Sequence, residues 1–497
     1  MVGTMIEVVE KDIFRIISST AEALGVRVYV VGQYVRDFIV RRPCNSIDIV
    51  VEGNAIDFAH SLGEKVPSRF SFFKNFGTAT FKYHGDSIQL LSDSRLLTPG
   101  KEQKPFYGEN ALEDYQYRTD FSINTIAVSL NNNDYGKLID PYDGIGSLSK
   151  GKICSTTPAD ASIQGDPIRM IRAIRLVAQL STPLLLFRIA PDLLNTIKKN
   201  SHLIESATKE RVVDELNKIL LSDAPGSAVS LLEETGILSI IIRPLSATKG
   251  VEKRNGKGYE DSFPHTLKVL NNVAELEHSS SSDITNSLGI KQGEPNLWLR
   301  WAALLHDIGK PATKRFDPEK GWSFYGYDVI GARMVPQVFS SLKMPLNDTM
   351  KYVQKLISLQ CRPKTLLEKG TTESAYRRLL VDAGDDIEDL MLLCMANITS
   401  VNKTKAEKEL SDMESVMRKL LEVKTRDAVR NLKSPISANY IMDLYGLEPC
   451  NTLGMLKEYI RQAILNGEIQ NTFEDADVLL RKKASEMGLI CLKTDRL

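Results

Sequence analysis

The first segment that could do chemistry is VVGQYVRDFIV, where Gly32 follows an apolar strand and Arg36 and Asp37 lie on the next helix. The strand after it, SIDIVV, carries Ser46 and Asp48. Side chains two residues apart on a strand project to one face, so two carboxylates at this spacing could hold Mg²⁺ on a triphosphate and an attacking hydroxyl. Only Asp48 is acidic here. The pattern predicts a phosphate-binding turn beside a strand that carries one carboxylate, Asp48.

Two later segments carry paired polar residues. EDYQYRTDFSINTIA contains Arg118, Asp120 and Asn124, and the last two could instead cap a helix that begins at FSIN. IQGDPIRMIRAIRL has Asp166 and Arg169 three residues apart, which predicts one face of one helix. A planar guanidinium suits paired acceptors on a base. For an isolated DxxR, a salt-bridged and solvated helix face is the alternative.

Basic residues are enriched around that helix. Residues 165–220 hold nine Lys/Arg against six Asp/Glu, and Arg172 and Arg175 continue the stripe begun by Arg169. We predict that Arg172 and Arg175 contact an RNA phosphate backbone, although so small an excess is also usual for a solvated helix face. The whole chain has 63 basic and 63 acidic residues, so any nucleic-acid site must be local.

A different kind of site is indicated in the second half of the chain. FPHTLKVL and LLHDIGKPATKRF supply His265, His306 and Asp307, which are of the types that bind divalent metals. Three such residues are also compatible with a buried hydrogen-bond network, and we favour that structural interpretation. The six cysteines are scattered without a CxxC pair, which argues against a cysteine zinc site or a redox site.

These segments, in this order, resemble the class II tRNA nucleotidyltransferases, the CCA-adding enzymes and related poly(A) polymerases, with a polymerase-β-like head and an HD domain. Members normally read GGxVRD, then DxD, and have a third carboxylate on a later strand. This chain has Gln33, Ser46 and Gln89 at those positions, with Asp93 as the alternative if Gln89 is misaligned. The resemblance implies Mg²⁺ held weakly by Asp48. GWSF, DAGDDIEDLM and ANITS most resemble Bacteroidetes-type members.

The resemblance also implies roles for the other polar residues. Those in RTDFSIN would position the ribose and phosphates, and Asp166 with Arg169 would read the Watson–Crick edge of CTP or ATP. Nucleotide binding is therefore expected of the turn and these two motifs: Gly32, Arg36, Asp37, Arg118, Asp120, Asn124, Asp166 and Arg169. The family's neck motif implies that three residues brace the head: Glu210, Arg211 and Glu215.

The FPHT and HDIG segments resemble an HD domain, in which His and Asp side chains bind metal for phosphohydrolysis. His265, His306 and Asp307 fit the first ligands, but later ligand positions carry Tyr327, Gln360 and Asn397. A neutral phenol and two amides are poor substitutes for imidazole and carboxylate. We therefore expect no phosphohydrolase activity and little bound transition metal.

Hydrophobic periodicity predicts an α+β fold. Helical and β-rich stretches alternate up to SIQLL, and helical periodicity dominates after Pro167. The expected order is a polymerase-β-like nucleotidyltransferase head of mixed α/β structure (1–150), an all-α neck that binds RNA and nucleotide (151–250), an HD-type helical body (251–404) and a helical tail (405–497). Residues 278–296 are predicted to form an exposed loop.

No apolar run approaches the roughly 20 residues needed to span a bilayer, so we expect a cytoplasmic protein without membrane contact. Two functions are considered. The first is CCA addition to tRNA 3′ ends from CTP and ATP with Mg²⁺. The second, which we favour, is a catalytically inactive paralogue that binds tRNA-like RNA and a nucleoside triphosphate, because both metal centres have lost ligands while scaffold motifs remain. A homodimer or an active paralogue stays open as a partner.

Overall fold

The computed structural model describes most of the chain, in the following ranges: 5–96, 107–250, 252–259, 261–278, 295–368, 370–400, 402–430, 435–448, 450–465, 468–470 and 472–491. The chain forms two compact units, one of Met1–Cys361 with Glu388–Asn402 and one of Arg362–Ile387 with Lys403–Leu497. The head, the neck and most of the HD body predicted from the sequence fall in the first unit. The three predicted boundaries between these segments stay a prediction.

A seven-stranded sheet forms the head. Its strands in chain order are β1 (Val28–Val31), β2 (Ser46–Val51), β3 (Ser71–Phe73), β4 (Thr78–Tyr83), β5 (Asp86–Leu91), β6 (Ala127–Ser129) and β7 (Leu138–Ile139). Across the sheet they lie in the order β3-β4-β5-β2-β1-β6-β7. β2 and β5 are parallel, and the other neighbouring pairs are antiparallel. The strands predicted from VRVYVVG, IDIVV, GTATFKY and SIQLL are confirmed.

The head helices are α1 (Asp12–Leu24), α2 (Gln33–Ile39), α3 (Ala55–Gly63), α4 (Ala111–Arg118) and α5 (Gly144–Ser149). α1 is the helix predicted from DIFRIISSTAEALG, and it ends at Gly25, whose φ of 65° is the left-handed conformation that glycine adopts without strain. α1 contacts β1, and α3 contacts β2, β4 and β5. α4 packs on a cluster that includes Tyr29, Val31, Val50 and Ala127.

Helices continue through the rest of the first unit, as the sequence predicted. They are α6 (Ala159–Gly165), α7 (Arg169–Leu180), α8 (Pro191–Asn200) and α9 (Lys209–Leu220), then Pro225–Glu234, Ile237–Ile241, Arg243–Ser246, Ser262–His278, Leu297–Leu305, Lys310–Thr313, Tyr327–Ser341, Asp348–Leu359 and Ile387–Ala396. Two short hairpins interrupt them, at 253–258 and 315–323. The predicted loop at 278–296 lies largely outside the described residues.

The second unit is helical and has its own core. Its helices are Arg362–Thr365, Glu373–Ala383, Lys403–Arg430, Ala438–Tyr445, Asn451–Leu465 and Phe473–Glu486. Ile441, Leu456, Ile460 and Leu480 are fully buried in one cluster. The part of the chain that the structure describes contains no helix long and apolar enough to cross a membrane.

Candidate nucleotide and metal sites

Gly32 forms a tight turn between β1 and α2, next to Asp48. Its φ is 75°, and a Cβ atom there would lie 2.9 Å from the Tyr115 hydroxyl and 3.7 Å from Asp48 Oδ2. Any side chain at this position would therefore be strained and would clash with Tyr115. The next residue, Gln33, begins α2. The structure places the predicted turn and the predicted carboxylate side by side.

Asp48 is the acidic residue of the predicted magnesium site. Burial raises its pKa to about 6. Gln89 is its neighbour on the parallel strand β5, and Ser46 is exposed at the start of β2. Within the described ranges, the only group of three or more His, Cys, Asp or Glu close enough to share an ion lies in the helical body. One carboxylate beside neutral side chains does not fit a site for catalytic Mg²⁺.

Asp93, the alternative to Gln89, lies at the other end of the sheet. Its amide donates to the carbonyl of Gly53, five residues beyond Asp48, a separation of roughly 16 Å at the usual rise of a strand. Its carboxylate accepts hydrogen bonds from Arg95 instead. Asp93 therefore cannot share an ion with Asp48.

Arg36 and Asp37 form a buried ion pair under the turn. Arg36 Nε donates to Asp37 Oδ1 over 2.8 Å, and Arg36 Nη1 donates to Asn124 Oδ1 over 2.7 Å. Asn124 Nδ2 in turn donates to Asp120 Oδ1 over 2.9 Å. Arg36 and Asp37 are only 4% and 5% exposed, so they support the turn rather than touch a phosphate directly.

The same network continues into the neck. Asp120 Oδ2 accepts from Arg172 Nη1 over 2.8 Å, and Glu215 accepts from Arg172 Nε and from Arg175 Nε. Burial alone would lower the pKa of Arg172, but the carboxylates of Asp120 and Glu215 raise it above its usual value. These ion pairs argue for a bracing role, and RNA contact by Arg172 and Arg175 stays a prediction. Glu215 braces the neck as expected, whereas Glu210 is exposed outside this network.

The expectation that Asp166 and Arg169 share one helix is wrong. α6 ends at Gly165, and Asp166 has extended backbone angles of φ −155° and ψ 95°. The cause is Pro167, since a residue before proline is driven away from the helical region. Arg169 then begins α7.

Both side chains of this predicted base-reading pair have internal partners. Asp166 accepts two hydrogen bonds from Arg211, over 3.0 and 2.7 Å. Arg169 donates to Ser162 Oγ over 2.8 Å and to the carbonyl of Arg118 over 2.6 Å. Asp166 and Arg211 are partly exposed, so a ligand could compete for this carboxylate.

Tyr115 is a site residue that the sequence reasoning missed. Burial raises the pKa of its hydroxyl, and the nearby charges of Asp48 and Asp120 raise it further. It therefore stays a neutral hydrogen-bond donor beside the turn. Its position three residues before Arg118, on the same face of α4, is the signal that could have found it. Arg118 itself donates to Asp114 Oδ2 over 2.7 Å.

In the helical body, His265, His306 and Asp307 come together, with their ligand atoms all within 4.8 Å of one another. His265 already uses both ring nitrogens, since Nε2 lies 2.8 Å from Asn397 Oδ1 and Nδ1 lies 2.9 Å from Thr399 Oγ1. Burial, with a contribution from His306, lowers the pKa of His265 to about 4, so its ring is neutral near pH 7.

The other two members each keep one ligand atom without a partner. His306 Nδ1 donates to the carbonyl of Ala303 over 2.7 Å, and Asp307 Oδ2 accepts from Lys310 Nζ over 2.6 Å. His306 Nε2 and Asp307 Oδ1, 3.5 Å apart and buried, have no hydrogen bond in the described structure. Two free ligand atoms beside an ammonium group do not fit a firmly held metal ion.

The remaining positions of the expected HD site make structural contacts. The Cys361 thiol lies 3.4 Å from the Tyr327 hydroxyl, and burial raises the pKa of that hydroxyl. Gln360 Nε2 donates to the carbonyl of His306 over 2.8 Å. The side chains that replace expected ligands are thus used in packing the helices.

The glycine turn lies beside the strand that carries Asp48, and the helical neck braces it. A His-Asp cluster follows in the helical body. Together these features are those of a nucleotidyltransferase-type head joined to an HD body. Family models match in that order: the poly A polymerase head domain at 28–154, a probable RNA- and SrmB-binding site of polymerase A at 186–248, and the HD domain at 263–388. The chain therefore carries a poly A polymerase head domain, a polymerase A RNA-binding region and an HD domain, in that order along the sequence.

Curated relatives are similar to this chain in sequence over most of their length. An A-adding tRNA nucleotidyltransferase of Deinococcus radiodurans is 27% identical over 383 residues, 76% of this chain and 80% of the relative. A multifunctional CCA protein of Pseudomonas fluorescens is 29% identical over 366 residues, 71% of this chain and 81% of the relative.

Solved structures agree in fold. A CCA-adding enzyme in complex with ATP aligns with a TM-score of 0.59 at 19% identity, covering 96% of this chain and 97% of the other. The Thermotoga maritima CCA-adding enzyme complexed with tRNA aligns with a TM-score of 0.58 at 18% identity, covering 97% and 100%.

Proposed function

We propose that this protein binds tRNA or tRNA-like RNA and a nucleoside triphosphate, ATP or CTP, with its head and neck, and that nucleotide addition is strongly impaired. The relatives named as tRNA nucleotidyltransferases and the neighbours solved with ATP and with tRNA support the ligand classes. A tRNA ligand also implies that the protein acts in the cytoplasm.

The observation that carries the proposal is the isolation of Asp48. Its neighbour across the parallel strands is an amide, Gln89, and the position two residues earlier is a hydroxyl, Ser46. Meanwhile the network from Arg36 to Glu215 that supports the turn is complete. A scaffold retained without metal ligands supports binding more than phosphoryl transfer.

The second candidate is addition of A or CCA to tRNA by an active enzyme. Two observations favour it. Asp48 lies beside the Gly32 turn, and Asp166, near the start of α7, is partly exposed. A turn, a carboxylate and a group that could read the base are therefore all present. Under this candidate, Mg²⁺ supplied with the nucleotide would neutralise phosphate charge, and Asp166 with Arg169 would select the base.

The test compares binding and chemistry on the same preparation of the full chain. Affinity for a tRNA transcript that lacks the terminal CCA and affinity for ATP and CTP are measured with Mg²⁺ and with EDTA. Incorporation of labelled AMP and CMP is then followed at saturating RNA. We expect RNA and nucleotide binding with little dependence on Mg²⁺, and incorporation far below that of an active relative assayed in parallel.

Incorporation at a rate similar to that of the active relative would establish the second candidate. Failure to bind either tRNA or nucleotide would overturn both. Binding by the native chain could still serve an active sister enzyme, and addition of this protein to that enzyme's assay would reveal a regulatory effect.

A further inference from the structure

A small cavity lies within the second unit, between the helices Arg362–Thr365 and Glu373–Ala383. Its volume is about 200 Å³. A water molecule takes up about 30 Å³ in the liquid, and pockets for drug-sized ligands usually measure about 300–1,000 Å³. The cavity therefore has room for an ion of a few atoms and is smaller than the pockets that hold larger molecules.

The charged side chains at this cavity are all cationic. Arg362 and Arg378 line it, and none of the other described residues that line it is acidic. Three hydroxyl side chains complete its polar wall: Thr365, Thr372 and Ser374. Two guanidinium groups without a carboxylate attract an anion, and their planar forks match the oxygen atoms of a phosphate group.

Several donors of this cavity are available to a ligand. The side chain of Arg378 makes no hydrogen bond or ion pair in the described structure, and the hydroxyl groups of Thr372 and Ser374 make none there either. Arg362 pairs with Asp382 through Nη1. A guanidinium group has five N–H donors, so this pair leaves most of those of Arg362 for an anion.

The frame of the cavity is fixed by apolar packing and by contacts between its two helices. Leu366 and Leu379, which line it, are 7% and 1% exposed. The Tyr376 hydroxyl donates to the carbonyl of Leu366 over 3.3 Å, and the ion pair of Arg362 with Asp382 joins the two helices. The backbone that carries both arginines is thus ordered before a ligand arrives, which lowers the cost of binding.

We propose that this cavity binds the phosphoryl group of a small phosphate compound, either inorganic phosphate or a phosphate monoester, between Arg362 and Arg378. The guanidinium groups would each donate paired hydrogen bonds to it, and Thr372 and Ser374 would add single ones. The site lies wholly within the second unit, so it does not depend on the function proposed for the head and neck.

A small phosphate fits this cavity better than the backbone of an RNA. Each backbone phosphate is a diester with one negative charge, and it is flanked by two sugars that a cavity of about 200 Å³ does not admit. Inorganic phosphate and monoesters carry nearly two charges near pH 7, and they present at least three oxygen atoms to the donors.

The experiment measures the affinity of the full chain for inorganic phosphate by titration calorimetry, in a phosphate-free buffer of constant ionic strength. Arg378→Gln should weaken binding about tenfold, because it removes a charge-assisted hydrogen-bond donor. Arg362→Gln should weaken it similarly. Since Arg362→Gln also breaks the pair with Asp382, circular dichroism verifies its fold, whereas Arg378 has no partner to lose in the described structure.

Arg377→Gln is the matched control. Arg377 is adjacent on the same helix and carries the same charge, but it lies outside the cavity lining, where it pairs with Glu373 over 3.4 Å. This variant should leave the phosphate affinity unchanged. An equal loss in Arg377→Gln and Arg378→Gln would mean that only the net charge of the unit matters, and it would overturn the site.

Two further compounds separate the sources of the phosphoryl group. Glycerol phosphate, a monoester, should compete with inorganic phosphate if an esterified group enters the cavity, and inorganic phosphate that binds without such competition assigns the site to the free anion. Diethyl phosphate, a singly charged diester, should not compete.

The proposal is overturned if the native chain binds neither inorganic phosphate nor the monoester, or if Arg378→Gln binds them as well as the native chain does. A loss of tRNA affinity in Arg378→Gln, in a chain that binds no small phosphate, would make the RNA backbone the occupant and would also overturn it. Neither result would affect nucleotide or RNA binding by the head and neck.

Discussion

Gln89 lies directly beside Asp48, on the neighbouring parallel strand and on the same face of the sheet. Strands in a sheet are about 4.8 Å apart, so carboxylates at these two positions could contact one cation. An amide contributes an oxygen without charge, and burial raises the pKa of Asp48 to about 6 because it disfavours the charged form. Whether the site can catalyse nucleotide addition therefore depends mainly on Gln89 and Ser46, which stand where carboxylates are expected.

Restoring the carboxylates should restore chemistry if the rest of the site is competent. We expect Ser46→Asp combined with Gln89→Glu to raise Mg²⁺-dependent incorporation of AMP or CMP into tRNA by about 10²- to 10³-fold. A catalytic metal contributes several kcal/mol of charge stabilisation, and each 1.4 kcal/mol is tenfold in rate. Single-turnover assays with saturating tRNA measure this directly.

The control for this gain is the same double substitution in an Asp48→Ala background, which should stay inactive. Affinity for ATP in EDTA should be similar in all variants. If the restored chain binds nucleotide but its rate does not rise, then Ser46 and Gln89 do not occupy the metal-ligand positions.

The raised pKa of Asp48 predicts a pH-dependent effect on stability. The value rises from 3.8 to about 6 on folding, so protonation of this carboxyl favours the folded state below pH 4, and that contribution is lost as the pH rises through 6. Asp48→Asn should therefore stabilise the protein more at pH 7.5 than at pH 4.5, by on the order of 1–2 kcal/mol after allowance for partial exposure.

Urea denaturation of the native chain and the variant at both pH values measures this difference. Glu64→Gln, at an exposed position after α3, controls for the change in net charge. A stabilisation of Asp48→Asn that is equal at both pH values would mean that the carboxyl titrates near its ordinary value.

Arg172 should matter for stability more than for RNA affinity. Its removal takes the ion-pair partner from the buried carboxylate of Asp120 and leaves Glu215 with Arg175, and breaking a buried pair in this way typically costs about 3–5 kcal/mol. We expect Arg172→Ala to lower the free energy of unfolding by that order. Arg211→Ala, which breaks the more exposed pair with Asp166, should cost less than about 1 kcal/mol.

The salt dependence of tRNA binding separates bracing from phosphate contact. A bracing residue leaves the slope of log affinity against log salt unchanged at temperatures where the variant is folded. A slope reduced by about one for Arg172→Ala would support the RNA contact predicted from the sequence.

Strand positions were predictable because burial and alternation are local properties of the sequence. The strands IDIVV and SIQLL could be read directly, and the parallel register then brings Asp48 and Gln89 together. The same local logic failed at Asp166, because the spacing of three suggested a helix while Pro167 ends the helical conformation one residue earlier.

Long-range pairings could not be predicted from spacing. Nothing in the sequence near Arg172 indicates that its partners are Asp120, which is 52 residues away, and Glu215, which is 43 away. The exposure of Phe73 was also missed, since an apolar SFF segment is typical of a buried strand, whereas β3 lies at the edge of the sheet and Phe73 is 47% exposed.

The HD cluster should bind little metal because only two of its ligand atoms, His306 Nε2 and Asp307 Oδ1, are free of hydrogen bonds in the described structure. His265 is held by Asn397 and Thr399, and Lys310 neutralises part of the charge of Asp307. Elemental analysis of the purified protein should find transition metal well below one ion per chain. Phosphate release and hydrolysis of cyclic phosphodiesters should be absent with several divalent metals.

Rebuilding the ligands provides the positive test of the same argument. Asn397→Asp with Tyr327→His adds a carboxylate and an imidazole at the expected ligand positions, so the double variant should take up Mn²⁺, Co²⁺ or Ni²⁺ that the native chain does not retain. His306→Ala in that variant should abolish uptake, because His306 Nε2 is buried without a hydrogen-bond partner in the described structure and is free to coordinate. Stoichiometric metal in the native protein that is lost on His306→Ala would instead show a working centre, in which the metal displaces Asn397 or Thr399 from His265.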